Sequence, residues 1–292
     1  MYQIETKALI ELKEKDIERF ADYLREKECA QATIRKYLTD VRTFYRYLGK
    51  ERQVSKEKVV KYRQALTEDY QYSSVNSMLA ALNQFFSAMD LQHLKVKRLR
   101  IQNQMFQKEE KSLSKQEYLK LLQTARKEKK EELALLMETI CSTGIRISEL
   151  QFITVQSIKR GSVKVWNKGK CRIVMIPRET KKRLARYVKA KQYKSGPIFR
   201  TKSGKPKDRS NIWREMKTLA KGAQIHEEKI FPHNLRHLFA RTFYEKTKNI
   251  VHLADILGHS SVEVTRIYTC GKLEEWRRNI ERLDLLGKKI TT

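Results

Sequence analysis

Three one-sided apolar stripes at helical spacing fill the first third of the chain and constrain what it can become. Ile17, Phe20, Ala21 and Leu24 fall at i, i+3, i+4 and i+7. Ile34, Tyr37, Leu38, Val41, Phe44, Tyr45 and Leu48 repeat the pattern, and Gly49 offers a stop. Val75, Met78, Leu79, Leu82, Phe85, Phe86 and Met89 repeat it again. A helix with one apolar face needs a partner to cover it. A weaker helix, about 55–67 with Ser55 as its cap, lies between the second and third stripes. Four short helices joined by short loops predict a compact bundle over residues 1–93.

From Leu94 the periodicity fails, and Lys95, Lys97, Arg98, Arg100 and Lys108 follow without an acidic residue before Glu109. This reads as an exposed basic linker, 94–111. A second domain, 112–292, mixes helices with one small β element. Ser114 and Glu117 have capping-box spacing. A helix over about 131–142 stops near Gly144, and Ser148 is a candidate cap for the next. Two β-prone runs, 161–166 and 171–177, flank Asn167-Lys-Gly-Lys170 and predict a hairpin with Gly at its turn. Helices resume after Pro177 and continue to about Leu285, interrupted by a Lys- and Gly-rich loop over 201–208. The expected fold is mainly α with a small β hairpin: a helical bundle followed by a mixed α+β domain.

Lys plus Arg number 63 against 34 Asp plus Glu, a net charge of +29. Such an excess argues for a polyanionic partner, with nucleic acid ahead of an anionic membrane surface. No apolar run is long enough to span a bilayer, and the first twenty residues lack the apolar core of a signal peptide. The four cysteines are scattered, with no CxxC pair. They suit a reduced, cytoplasmic setting rather than a disulfide framework.

Several polar residues sit at structural punctuation marks. Arg146 lies in TGIRISEL, just past the Gly144 stop, where a side chain projects from the scaffold. Glu149, three residues on, is placed to hold its guanidinium. An Arg in a turn is ordinarily a solvated surface residue, so this position alone decides little. His233 and Arg236 share one face of a helix that Pro232 opens, while Leu235, Leu238 and Phe239 form the buried face. A His/Arg pair near a helix N-terminus suits an anionic oxygen. Zinc at His233 and His237 is the weaker alternative, because the HExxH glutamate and a third nearby ligand are missing. A solvated basic helix face is the plainer one. Gly258 ends a further helix, His259 follows in the turn, and Ser260 with Glu263 has capping-box spacing. Val264 and Ile267 are placed to pack inward, with Tyr268 near the helix end. A tyrosine there is usually a half-buried anchor. Lys168, beside Gly169, sits at the hairpin tip, where lysine commonly serves solubility.

Taken in order, an Arg in TGIRISEL, a Lys in a hairpin turn, HNLRH, LGHSS and a Tyr nine residues after that His resemble the tyrosine site-specific recombinases, the phage integrase family. By layout the chain is most like Xer-type recombinases and small transposon recombinases. The resemblance implies a core-binding bundle and a catalytic domain that close around duplex DNA as a clamp. It implies that Tyr268 attacks a phosphodiester to form a 3′-phosphotyrosyl link and release a 5′-hydroxyl. Arg146 and Arg236 would hold the non-bridging oxygens and Lys168 would protonate the leaving oxygen, with Lys170 as the rival lysine. His233 would act as base or donor, His259 would support the phosphate, and Glu149 would orient from behind. His237 reads as a structural hydrogen-bonding residue.

The chemistry agrees with those roles. Paired guanidiniums match phosphate geometry and stay charged. A tyrosine with an ordinary pKa of about 10 needs a base or a strongly positive site. Neither metal nor other cofactor is implied. Lys95, Lys97, Arg98 and Arg100, with Lys202, Lys205, Lys207 and Arg209, are candidates for phosphate contacts. Helices from about Gln31 and after Arg209 are candidates for reading bases. The implied partners are double-stranded recombination sites, a second protomer on each site, a tetramer in synapsis and an accessory protein. Leu273, Trp276, Ile280 and Leu283 mark a tail helix that packs on its own domain or docks on a neighbouring protomer. The competing readings are a type IB topoisomerase-like enzyme and a sequence-specific DNA-binding protein with weak catalysis.

Overall fold

The computed structural model describes residues 10–100, 112–167, 170–259, 261–268 and 281–282. The chain divides into two compact units, Met1–Gln104 and Met105–Thr292. In the first, α1 (Glu14–Glu26), α2 (Gln31–Tyr47), α3 (Lys56–Asp69) and α4 (Tyr72–Ala88) surround one core. The stripes read from the sequence supply it, with Phe20, Leu24, Phe44, Leu79, Phe85 and Phe86 fully buried. Edge-on ring pairs, Phe20 with Phe85 at 5.4 Å and Phe44 with Phe86 at 6.0 Å, lock α1 and α2 onto α4. The Ser55 hydroxyl accepts from the Lys58 N–H and starts α3. A two-residue antiparallel pair that periodicity could not reveal, β1 (Ile10–Glu11) with β2 (Gln53–Val54), fastens the approach to α1 against the α2–α3 loop.

The stretch after Leu94 corrects the expected linker boundary. Leu94 and Val96 are buried in the first core. Two amides of α4 clamp the backbone beyond them. Asn83 donates to the Val96 carbonyl at 2.8 Å and accepts the Val96 N–H at 3.0 Å. Asn76 does the same for Leu99, at 2.9 and 2.7 Å. Lys56 and Arg63 donate to the carbonyls of Lys95 and Lys97. An irregular strand packed on a helix must find partners for its peptide groups, and a carboxamide offers donor and acceptor together. Residues 94–99 therefore belong to the first unit. Residues 101–111 lie outside the described residues. Asn83→Ala is expected to destabilise this unit by about 1–3 kcal/mol by stranding both Val96 groups. Urea unfolding will read it as a lower midpoint at unchanged slope.

The second unit begins with α5 (Lys115–Lys127), where Ser114 and Glu117 make both bonds of the capping box, at 3.1 and 2.7 Å. Next come α6 (Glu131–Thr143), a 3-10 turn (Ile147–Phe152) and α7 (Val155–Arg160). β3 (Ser162–Asn167) and β4 (Lys170–Met175) pair antiparallel with Asn167 opposite Lys170. The strands run one pair further toward the tip than the sequence suggested. Then follow α8 (Arg178–Ala190), α9 (Arg209–Lys217), α10 (Ala220–Ala223), α11 (Pro232–Thr247), α12 (Ile250–Leu257), α13 (Val262–Thr265) and a last 3-10 turn (Arg266–Tyr268). α6 is buried nearly all round, through Leu133, Ala134, Leu135, Leu136, Met137 and Ile140. It is the spine on which α5, α8 and α11 pack.

Thr154, and not Ser148, caps the helix after TGIRISEL, its hydroxyl accepting from the Ser157 N–H at 3.1 Å. Ser148 falls inside the 3-10 turn, which Glu149 holds by accepting the Arg146 N–H at 2.9 Å. The expected tail helix, with Leu273, Trp276, Ile280 and Leu283, lies outside the described residues. Among the described residues no helix is long and apolar enough to cross a membrane.

Candidate active site

The site begins where α6 stops. Gly144 has φ +64°, and a Cβ there would sit 2.5 Å from Phe239 Cδ1. The left-handed turn and the close approach of α11 both require glycine. The turn releases Arg146 into the open, its side chain 26% exposed. Its guanidinium donates to Glu149 Oε1 at 3.0 Å and to the Gly258 carbonyl at 3.1 Å.

Glu149 is only 2% exposed. Burial pushes its carboxyl upward, but donors from Arg172, the Arg146 backbone and the Arg146 side chain outweigh it and hold the group below the usual carboxylate range. Arg172, on β4, makes a two-pronged pair with it, Nη1 to Oε1 at 2.7 Å and Nη2 to Oε2 at 2.8 Å. The sequence reading passed over Arg172. Its signal was a cation on the inward face of β4, in phase with Val174 and opposite Val165.

Arg236 is 1% exposed on α11. Among the described residues it has no carboxylate partner of its own. It donates instead to the carbonyl of Gly144 at the end of α6, and to that of Leu257 at the end of α12, the latter at 2.7 Å. Helix C-termini carry partial negative charge, so they accommodate a buried cation. Burial and the neighbouring Arg146 and Arg172 lower its pKa to about 10, which leaves it charged at neutral pH. Its Nε–H has no partner among the described residues.

His259 follows Gly258, the left-handed stop of α12 at φ +63°. Its Nε2 faces Arg236 Nη2 at 3.3 Å and its Nδ1 faces Thr265 Oγ1 at 2.9 Å. A guanidinium only donates, so Nε2 carries the lone pair and Nδ1 the proton. Burial, then the cations Arg236, Arg146 and Arg172, lower this imidazole to about 4. The residue of α13 that turns inward is Thr265, fully buried, whereas Val264 is 50% exposed. The expected inward packing of Val264 is thus corrected: the short helix presents its hydroxyl to the histidine. Ser260 and the side chains of Glu263 and Ile267 lie outside what the structure describes.

Tyr268 is 5% exposed, packed with Ala240, Leu253 and Leu257. The His237 ring meets it edge-on at 5.0 Å, and the His259 ring lies nearly parallel at 6.2 Å. Burial raises its pKa, while Arg236 and Arg146 pull it back. His233 is on the exposed side of α11 with its ring 4.5 Å from that of His237. Desolvation, then Arg236 and Arg146, lower its pKa. His237 falls to about 4, with burial the leading cause. Among the described residues its Nε2 is buried without a partner, and its ring packs against Tyr268. Among the described residues no group of three His, Cys, Asp or Glu is placed to hold a metal ion.

The structure thus gathers Arg146, Glu149, His233, Arg236, His259 and Tyr268, adding Arg172, His237 and Thr265. Lys168 lies outside the described residues. Of the expected phosphate contacts, Lys97, Arg98, Arg100, Lys202, Lys205 and Arg209 are exposed, and Lys95 is half-buried. Lys207 is not free: it is 3.0 Å from Glu215 and 3.5 Å from Glu132, enclosed by carboxylates from α9 and α6.

The model of the Phage integrase family matches residues 111–274, and that of the Phage integrase N-terminal SAM-like domain matches 17–92. The tyrosine recombinase XerA of Pyrococcus furiosus is 28% identical, over 96% of this chain and 97% of its own. The tyrosine recombinase XerD of Staphylococcus saprophyticus is 33% identical over 46% of this chain and 48% of its own. The fold is shared with a XerH recombinase bound to a palindromic difH substrate, with TM-score 0.71, 20% identity, and coverage of 92% of this chain and 85% of that one. It is also shared with a lambda integrase dimer bound to a core site, with TM-score 0.70, 19% identity, and coverage of 88% and 94%.

Proposed function

As the chain belongs to the phage integrase family, the tyrosine recombinases, we propose that it cleaves and rejoins DNA at a specific site through a covalent phosphotyrosine at Tyr268. The observation that carries this reading is the placement of Tyr268 beside two uncharged imidazoles and two arginines, Arg146 and Arg236. The Tyr268 oxygen forms a bond to phosphorus as the bond to the 5′ oxygen breaks. The phenolic proton leaves to a base, His233, while His259 supports the phosphate. The 5′ oxygen takes a proton from Lys168. Attack by a 5′-hydroxyl of a partner strand reverses these steps and releases Tyr268. The phosphodiester bond energy is kept in the covalent link, so the exchange needs no nucleotide hydrolysis. Arg146 and Arg236 stabilise charge that grows on the non-bridging oxygens, where preorganised donors have their largest effect.

Duplex DNA is the substrate, and the +29 net charge supplies the attraction. Two protomers on each site and a tetramer in synapsis complete the reading, with an accessory protein setting direction. Lys97, Arg98, Arg100, Lys202, Lys205 and Arg209 contribute affinity and salt dependence.

The test is a covalent adduct. Nicked duplexes tiled across the DNA that flanks the coding sequence are incubated with the protein in EDTA and run on a denaturing gel. A protein-linked DNA band is the expected result. Its absence from every duplex that the protein binds selectively, in a salt-sensitive way, would favour the DNA-binding reading over the enzyme.

The pH dependence follows from the same groups. Tyr268 is protonated at neutral pH because burial raises its pKa. The adduct rate should therefore climb from neutral to alkaline pH. On the acid side, His259 and His237 have folded pKa values near 4, below the ordinary 6.5. The unfolded chain then binds more protons between those values. Stability is full above about 6.5 and falls as pH drops toward 4. Thermal melts across pH 4–8 will read it. A midpoint independent of pH in that window would contradict the neutral histidines.

A further inference from the structure

Glu149 raises a problem that the paired-arginine reading does not solve. It is buried, it is charged, and it stands next to a guanidinium that must stay available for phosphate. A buried carboxylate with one cation in reach takes that cation in a two-pronged grip, the strongest geometry open to it. Such a grip would turn Arg146 inward. In the structure the grip belongs to Arg172, which covers both carboxylate oxygens at 2.7 and 2.8 Å. Arg146 keeps a single side-chain bond to Oε1 and one to the Gly258 carbonyl.

We propose that Arg172 is a positioning residue for strand cleavage. By saturating Glu149 it lets that carboxylate aim Arg146 without capturing it. The inference rests on the reading of Arg146 as a phosphate clamp. Arg172 is itself held from three sides. Its backbone is in β4, its Nε donates to the Ile256 carbonyl at 3.2 Å, and its stem lies where a Cβ on Gly258 would come within 2.5 Å of Cδ. One side chain thus joins the hairpin, the turn before His259 and the turn after Arg146. The charge sum agrees. Arg172 and Glu149 cancel, so Arg146 and Arg236 present their full charge to an incoming phosphate.

The test compares full-length Arg172→Met, Arg172→Lys and the double variant Arg172→Met/Glu149→Gln with wild type. Methionine keeps the stem over Gly258 and removes the grip; lysine keeps the charge and loses the fork. The probe is the nicked duplex that gives the wild-type adduct. Arg172→Met is expected to slow adduct formation roughly 100-fold, with duplex affinity changed less than about threefold. Arg172→Lys is expected to lose about tenfold. Removing the carboxylate in the double variant should recover about tenfold over Arg172→Met, because nothing is left to capture Arg146. A merely structural Arg172 predicts a double variant no faster than the single one, and that result overturns the proposal. So does a wild-type rate in Arg172→Met. A crystal structure of Arg172→Met without DNA, or of Arg172→Lys should the first not fold, gives a readout that does not depend on the functional reading. Arg146 should then place both terminal nitrogens on Glu149; retention of its bond to the Gly258 carbonyl overturns the inference. If wild type forms no adduct, the functional reading has failed, and this structural arm still decides the role of Arg172.

Discussion

Tyr268→Phe is expected to abolish the covalent adduct outright while leaving the protein folded and bound to DNA. The substitution deletes one oxygen. The ring keeps its place among Ala240, Leu253 and Leu257, and its contacts with His237 and His259. Among the described residues the imidazoles that flank Tyr268 are already engaged, His259 by Arg236 and Thr265 and His237 by ring packing, rather than aimed into open space. Adduct formation should therefore fall to background at every pH, with melting temperature and duplex affinity within error of wild type. A persisting adduct would mean that another residue is the nucleophile. Loss of adduct with loss of fold would show instead that the tyrosine is an anchor of the α11–α12 core.

The second large effect separates the two arginines proposed to hold the phosphate. Arg146→Ala and Arg236→Ala should each slow cleavage by at least roughly 100- to 1,000-fold, the usual cost of removing a preorganised donor. Their effects on stability should differ. Arg146 is partly exposed, and Glu149 retains Arg172 when it is gone, so stability should change by less than about 1 kcal/mol. Arg236 is buried. Its loss strands the Gly144 and Leu257 carbonyls and opens a cavity, which costs about 2–5 kcal/mol. Single-turnover rates and denaturation of the same two variants check both halves. Equal destabilisation would refute the assignment of Arg236 to the helix ends.

The sequence was most legible where one local rule acted alone. The stripes of α1, α2 and α4 repeat every three or four residues, and burial followed them. Ser55, Ser114, Gly144 and Gly258 are caps whose chemistry is complete within a few neighbours. Arg146, His233, Arg236, His259 and Tyr268 were legible for another reason: each sits at a break in periodicity, and their order matches a family. Residues whose role depends on distant chain were missed. Arg172 answers to Glu149 across 23 positions. Thr265 acquires meaning only once His259 folds over it. Lys207 reads as a surface base until α6 and α9 bring Glu132 and Glu215 around it. The linker boundary failed in the same way. Nothing in the composition of residues 94–99 says that two asparagines of α4 will hold them.

Those asparagines also set how the backbone behaves in time. The Val96 and Leu99 amides lie in no helix and no strand, yet each is locked to a side chain, and deuterium should replace them slowly. Their exchange then reports the opening of the whole α3–α4 face and not local fraying. A fragment cut after residue 93 discards the strand, leaves two carboxamides without their partners and uncovers the core surface that Leu94 and Val96 bury. One cut after Arg100 keeps the cover. The workable boundary of the first unit is therefore marked by the last protected amide, not by the end of the last helix.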